Sequence, residues 1–450
     1  MKRMVSLLLA LALCLGLTGC GGTAPRQKKT GTPSGTALRT PVYPEFPQWP
    51  RPSPLDRNGE KFFEAQQEYL RAVDEFREGG LPAALTDTLT DFAARSAPLA
   101  AAGLEGKNAV YSPASLWLAL GMLARCTEGE SRRQILDALG ESGWDQFSRD
   151  TGLLWKNLYT DDGRSILRLA NSVWLNSTPD GAYHEDALKD LAESCFAGTY
   201  AAPMGEAETD RLLSGWVEEQ TGGLIVPEFR TSPDTLAILM SALYYKAGWV
   251  DEFDPERTTE DTFTGPGGAE IRADFMHRTE EGTFLMNDRY RAARKRNHLG
   301  TMTFILPENG LAPEELLRDP GFLKSLDFGG EEAAFGEVRW SMPKFDAECS
   351  LDLRGALRQM GVTDVLDPDR ADLSALTDLD AFVNGVSQLT RVKAEEKGVE
   401  AAAVTIIDAC ESCAPAEEVR VCEMDLDRPF LFLLEVSGAP LFVGIINSPV

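Results

Sequence analysis

Histidine is almost missing from this chain: His184, His277 and His298 are the three in 450 residues. None stands in a G-x-S-x-G or H-E-x-x-H setting, so a hydrolase triad and a zinc-peptidase site both lack raw material. Basic residues are also short, with 44 Lys and Arg against 70 Asp and Glu and a net charge of −26. Phosphate binding needs clustered Lys and Arg, which argues against nucleic acid as a partner and against adhesion to anionic lipid by charge alone. The eight cysteines are scattered, too sparse for a disulfide scaffold in a chain of this size. Long apolar runs occur in one place, Met4 to Leu17, and no other stretch is long and apolar enough to span a bilayer.

That single run follows Lys2 and Arg3 and closes on Leu17-Thr18-Gly19-Cys20. A short basic segment ahead of an apolar run of this length reads as a secretory signal rather than a membrane span. Its ending resembles the bacterial lipobox, which implies that Cys20 is lipid-modified and begins the mature chain; a plain signal peptide with an incidental cysteine is the alternative. The expected address is the outer side of a bacterial cell membrane, held there by lipid. Residues 21–60 are rich in Gly, Thr, Pro, Ser and Arg, and are expected to form a tether without packed structure.

Two helical patterns run from Lys61 to Ala102, broken around Gly79, Gly80 and Pro82. Residues 61–82 read as a helical extension ahead of the main domain, 83–450. Ser112 before Pro113 marks a helix start, and Leu116 to Leu123 is apolar on nearly all sides, which predicts a buried helix. Leu167–Trp174 and Leu236–Tyr245 read as strands, the second wholly apolar and therefore central. Asp210–Gln220 reads as a helix and Met302–Leu306 as a strand. Phe430–Val436 and Leu441–Ile446, around Ser437-Gly-Ala-Pro440, read as a hairpin. Helices dominate the first half and strands the second, without regular alternation, so the class is α+β.

One stretch near the C-terminus is chemically odd: Glu395-Glu396-Lys397-Gly398-Val399-Glu400-Ala401-Ala402-Ala403-Val404-Thr405. At a period of two, Val399, Ala401, Ala403 and Thr405 share an uncharged face of little bulk, while Glu400 falls on the other. Such a segment can sit exposed as a loop and also enter a sheet without burying a charge or overpacking a core. An exposed alanine-rich helical turn is the alternative, since Ala and Glu are good helix formers.

Together the motifs resemble the serpin family over residues 83–450. Ser112-Pro-Ala-Ser115, with Ala119-Leu-Gly-Met122 and Gly129 to Ile135, looks like the helix beneath the opening of that family's main sheet. Trp216 to Ile225 resembles its WVxxxTxGxI segment, and Tyr244-Tyr-Lys-Ala-Gly-Trp249 its YFKGxW motif. Met342-Pro-Lys-Phe345 looks like its PKF strand, and Asp427-Arg-Pro-Phe430 fits its C-terminal signature. The resemblance implies a large central mixed sheet covered by helices, further sheets and an exposed reactive loop. It also implies no cofactor and a monomer that offers this loop to a protease as bait. After cleavage, the hinge Glu396–Thr405 would insert into the sheet with Gly398 as pivot, and the acyl-enzyme would be trapped.

Fourteen residues beyond Gly398, the family's usual spacing, the scissile bond falls at Ser412–Cys413, within a window that also takes in Cys410, Glu411 and Ala414. Small residues there suit elastase-like or papain-like proteases; trypsin-like enzymes are poorly served. Sheet opening is assigned by resemblance to Ser112, Ser115 and Trp249, with Ser214 and Gln388 standing near places where the family often has Asn and His. Cys410-Glu-Ser-Cys413, with Cys422, also permits a local disulfide, redox chemistry or a metal site. A non-inhibitory binding or surface protein on the same fold is the other reading.

Overall fold

The computed structural model of the chain describes residues 36–41, 45–51, 60–177, 183–308, 310–399 and 420–450. Two units are distinguished: Met1–Thr32, outside these residues, and Pro33–Val450, which holds everything described below. Cys20 and its signal segment therefore lie outside the described residues.

The first seven described helices, with several strands before and between them, are α1 (Glu60–Arg77), α2 (Ala83–Ala100), α3 (Pro113–Cys126), α4 (Gly129–Leu139), α5 (Trp144–Leu158), α6 (Glu185–Ser194) and α7 (Ala207–Gln220). The break between α1 and α2 uses left-handed backbone at Glu78, Gly79 and Gly80, where two glycines make the reversal cheap. In α3, Ser112 caps the helix by accepting from Ser115 N, with Pro113 in the first turn. Its residues from Pro113 to Leu118 are all buried, as the all-round apolar run requires.

The early strands are β1 (Thr36–Arg39), β2 (Ala109–Tyr111), β3 (Thr160–Asp161), β4 (Ile166–Asn176), β5 (Ala197–Ala202), β6 (Ala237–Gly248), β7 (Thr259–Thr264) and β8 (Glu270–Met286). Then come β9 (Tyr290–Arg296), β10 (Thr301–Pro307), β11 (Ala333–Pro343), β12 (Phe345–Asp352), β13 (Ser387–Glu395) and β14 (Gly398–Val399). The last three are β15 (Val421–Asp425), β16 (Phe430–Val436) and β17 (Ala439–Ile446). They gather into two mixed sheets, and the class is α+β. The first runs β1-β5-β4-β6-β14-β13-β12, with β3 beside β4; the second runs β15-β11-β8-β9-β10-β16-β17-β2, with β7 beside β8. The chain crosses from the second sheet to the first at Lys344, between β11 and β12. One apolar core lies between the sheets and under α2 to α6, with a smaller cluster where α7 covers Trp174 and Tyr200.

The expected tether is partly folded. β1 pairs with β5, Thr36 opposite Ala201, and so extends the first sheet at its edge. Phe46 is 6% exposed and meets Phe76 and Tyr159 edge-on, at 5.1 and 6.2 Å. Two aromatic anchors in a Pro-rich stretch, Phe46 and Trp49, bury enough area to fix it against α1 and α5. The prolines do not oppose this, because an edge strand tolerates neighbours that cannot donate. The boundary at 60 separating tether from helical extension is thus not a boundary between unpacked and packed chain.

Candidate functional site

β6 reads as a central strand and is one, but it is only half-buried along much of its length. Its near edge pairs with β4 from Ala237 to Lys246. Its far edge meets β14 only at the top, Ala247 opposite Val399 and Gly248 opposite Gly398. β14 in turn pairs with β13, Val399 opposite Ala394. Below that point β6 and β13 face one another, and among the described residues neither edge has a strand partner. The strand position between β6 and β13 directly beneath Val399, the channel, is thus taken by no described residue.

Two residues have already taken the position of a strand at its mouth. Val399 is 3% exposed. A Cβ on Gly398 would come within 2.3 Å of Ala247 O, so the close backbone approach demands glycine here. Trp249, fully buried, donates from Nε1 to Glu395 O at 2.9 Å, and its backbone N–H donates to Lys397 O at 2.9 Å. Phe253 N–H donates to Glu396 O at 2.9 Å. The Glu396 carboxylate pairs with Lys344 at 2.8 Å and accepts from Thr258 Oγ1 at 3.0 Å. Burial alone would raise that carboxyl, but the bond from Lys344, a backbone donor and Thr258 outweigh it and hold the group below its usual range.

Beneath the mouth, Lys295 has its ammonium 2.6 Å from Glu280 and 4.7 Å from the Phe253 ring centre. Trp340 Nε1 donates to the other oxygen of Glu280 at 2.9 Å, so the buried cation and carboxylate are both satisfied. Beside the mouth, His298 N–H donates to Gly248 O at 3.0 Å. Burial and the neighbouring Arg164 push the His298 imidazole down to about 4, so the ring is neutral at neutral pH.

Lower down, the N-terminal end of α3 bridges the two sides of the channel. Gln388 on β13 accepts from Ser112 N at 2.8 Å and donates from Nε2 to Ser112 O at 2.9 Å. Ser115 Oγ donates to Ser241 O on β6 at 3.1 Å. The structure thus brings Ser112, Ser115 and Gln388 together, and Trp249 stands above them at the mouth.

A family model described as Serpin (serine protease inhibitor) matches residues 87–449. The chain belongs to the serpin family. It is 28% identical over 362 residues to an uncharacterized serpin-like protein of Methanosarcina acetivorans, covering 77% of this chain and 82% of that one. It is 30% identical over 359 residues to a serpin-like protein of Thermococcus kodakarensis, covering 76% and 81%. Among solved structures, the thermophilic serpin tengpin in its native state superposes with a TM-score of 0.71 at 25% identity, covering 82% of this chain and 95% of that one.

In this serpin Ser214 lies on α7, where its Oγ donates to Asp210 O at 2.9 Å within the same helix. The serine that meets Ser115 is Ser241, halfway along β6. Its signal was available: it is the one hydroxyl inside the apolar run 236–243. The remaining hinge residues Glu400, Ala401, Ala402, Ala403, Val404 and Thr405, and the window Cys410, Glu411, Ser412, Cys413 and Ala414, lie outside the described residues. Cys422 is buried on β15 with its thiol pushed up to about 11 by burial, a poor ligand or redox partner. The histidines stand apart: His184 lies by Asp378, His277 by Thr259 and His298 by Arg164. No group of residues able to hold a metal occurs among the described residues, and no described helix is long and apolar enough to cross a membrane.

Proposed function

We propose that this serpin is a suicide-substrate inhibitor of extracellular serine proteases, with cysteine proteases as a second target class. The observation that carries the reading is the seating of Gly398 and Val399 as the first two residues of a strand, above a channel whose edges lack described partners. A protease nucleophile would attack the carbonyl carbon before the scissile bond, expel the amine of the following residue and leave an ester (or thioester) to the loop. Loop residues after Val399 would then follow it down the channel, satisfying the backbone donors and acceptors of β6 and β13. Deacylation would lose to insertion because each added residue gains backbone bonds and none of Ala401, Ala403 or Thr405 buries a charge.

The bond is placed at Ser412–Cys413, within 410–414, by its distance from Gly398, and its small residues favour elastase-like or papain-like enzymes. Lipid attachment at Cys20 would hold the inhibitor on the outer face of a bacterial membrane, where it would meet proteases from outside the cell.

The test is a gel. Protein lacking residues 1–20 is mixed with an elastase, a papain-like protease and a trypsin, then boiled in SDS. A band at the summed mass, with mass spectrometry of the released C-terminal peptide, supports trapping and locates the bond. Replacing Val399 by Arg should abolish that band and leave cleavage intact, because the charge would have to enter a site that is now almost fully buried. Trapping by the Val399→Arg variant would defeat the insertion reading. Uncut loops with every protease would move the chain to the binding-protein reading.

A further inference from the structure

Strand register lays out the outer face of the second sheet at the end where the chain re-enters it after the bait loop. Along β11, Val338, Trp340 and Met342 point into the core, so Phe335, Glu337 and Arg339 alternate outward. Their cross-strand neighbours on β8 are Thr283, Glu281 and Thr279. On the other side, Val421 and Glu423 of β15 stand opposite Glu337 and Arg339. Arg339 is spent within this face, on Glu337 at 2.6 Å and on Glu423 at 2.8 Å. Glu331 and Glu332 are exposed just ahead of β11, so acid outnumbers base here by five to two with Arg420 counted.

Phe335 is out of character in such a face. At 66% it is more exposed than any other large apolar side chain among the described residues except Val450. A lone apolar side chain on a surface is ordinary; this one is set apart by its place. Arg420 O accepts from Glu337 N at 2.9 Å, and a Cβ on Gly336 would collide with that same oxygen. Gly336 is therefore kept bare to admit Arg420 beside Phe335. β15 pairs with β11 only from Glu337 onward, so the outer edge of Ala333–Gly336 has no described strand partner.

We propose that Phe335 and the carboxylates around it form a second contact surface for the attacking protease, one that favours an enzyme whose rim beside the active site is basic with an apolar recess. The inference rests on the bait-loop reading above. Seven residues, 413–419, separate the proposed bond from Arg420, a reach of at most about 25 Å when fully extended, part of which a bound enzyme holds in its own cleft. A globular domain of about 200 residues has a radius of gyration of about 17 Å, so an enzyme seated on that bond can rest on the face around Arg420. Phe335 would supply the aromatic anchor, and the surplus carboxylates would steer basic enzymes in and keep acidic ones off. Hinge entry lies at the opposite end of β11, where Lys344 meets Glu396. The surface therefore acts on capture and not on insertion.

The test uses the otherwise complete chain after residue 20 and two elastase-like proteases, one of basic and one of acidic net charge. The measurement is the second-order rate at which intact chain is consumed. Phe335→Ser should slow consumption by the basic enzyme roughly tenfold, and Phe335→Tyr, which keeps the ring, should restore most of it. Glu281→Gln combined with Glu332→Gln should lower the rate at low salt and flatten its salt dependence. The fraction of attacks that end in trapping and the thermal midpoint of the intact form should stay at wild-type values. The acidic enzyme should not distinguish Phe335→Ser from wild type. Equal rates for Phe335→Ser and wild type with the basic enzyme would overturn the proposal. Equal slowing with both enzymes would make Phe335 a support of its own chain and overturn it as well. Consumption is read whether or not the enzyme is trapped. A wild type that is cut without trapping, and more slowly in the Phe335→Ser variant, therefore keeps the surface and ends the inhibitor reading. A wild type whose loop neither enzyme cuts ends both together.

Discussion

Glu396 is held by its backbone and its side chain at once, to Phe253, Lys344 and Thr258, and that makes it the firmest point before the pivot. Replacing it by Gln keeps the size and the Thr258 bond but removes the charge pairing with Lys344, which is itself a third exposed. We expect a loss of about 1 kcal/mol in urea unfolding of the intact form at neutral pH. The carboxyl is held below its usual range in the folded chain, so its contribution is present above the unfolded value and is lost as pH falls through the folded one. The difference between wild type and Glu396→Gln should therefore shrink as pH falls below the ordinary carboxylate range and close once it passes the folded value. At this scale the sequence was readable where a residue type had a geometric reason. Gly398 stands where no Cβ fits, and Gln388 offers both a donor and an acceptor to one backbone unit. It was unreadable for the partner of Ser214, because a serine's neighbours along the chain do not reveal which α-helix or strand edge faces it in space, whereas Ser241 stood out as a lone hydroxyl in an apolar run.

The junction of α3 with β13 behaves as one unit, since Gln388 satisfies both backbone groups of the helix-capping Ser112. Gln388→Ala would leave a buried N–H and C=O without that partner, and we expect the intact form to lose about 1–3 kcal/mol. The joint spans the channel, so the same variant should also lose trapping activity faster on warm storage, followed by assay of residual inhibition. Element existence was largely legible: α3, α7, β4, β6, β10 and the β16–β17 hairpin all fall within a few residues of their apolar patterns. The folded stretches 36–41 and 45–51 were not, because their composition is that of a linker and the anchors, Phe46 and Trp49, show no period. Their partners, Tyr69, Tyr159 and Asp162, are supplied by distant chain.

At the scale of the whole molecule, β6 and β13 flank a strand position that no described residue takes. Cutting the loop anywhere in 406–416 should let that place be filled. About eight new backbone bonds at about 1 kcal/mol each would raise the thermal midpoint of the cleaved chain by about 10 °C. Calorimetry of intact and cleaved protein measures this directly, and an unchanged midpoint would mean that the channel does not accept the loop. The resemblance implies a mixed sheet that the hinge would enter, but not that Gly398 and Val399 are already seated between β6 and β13. That seating is a property of register between distant segments, and local pattern carries no information on it.

The second sheet has a different consequence, for biosynthesis. β16 lies between β10 and β17, and β17 lies between β16 and β2, with Val443 opposite Tyr111. β16 and β17 thus join Ala109–Tyr111 to the rest of that sheet, and among the described residues Ala109–Tyr111 has no strand partner until Val443–Ile445 has been made. Contacts of such sequence separation form late and slowly. That edge of the second sheet is therefore expected to be the last part of the fold to close.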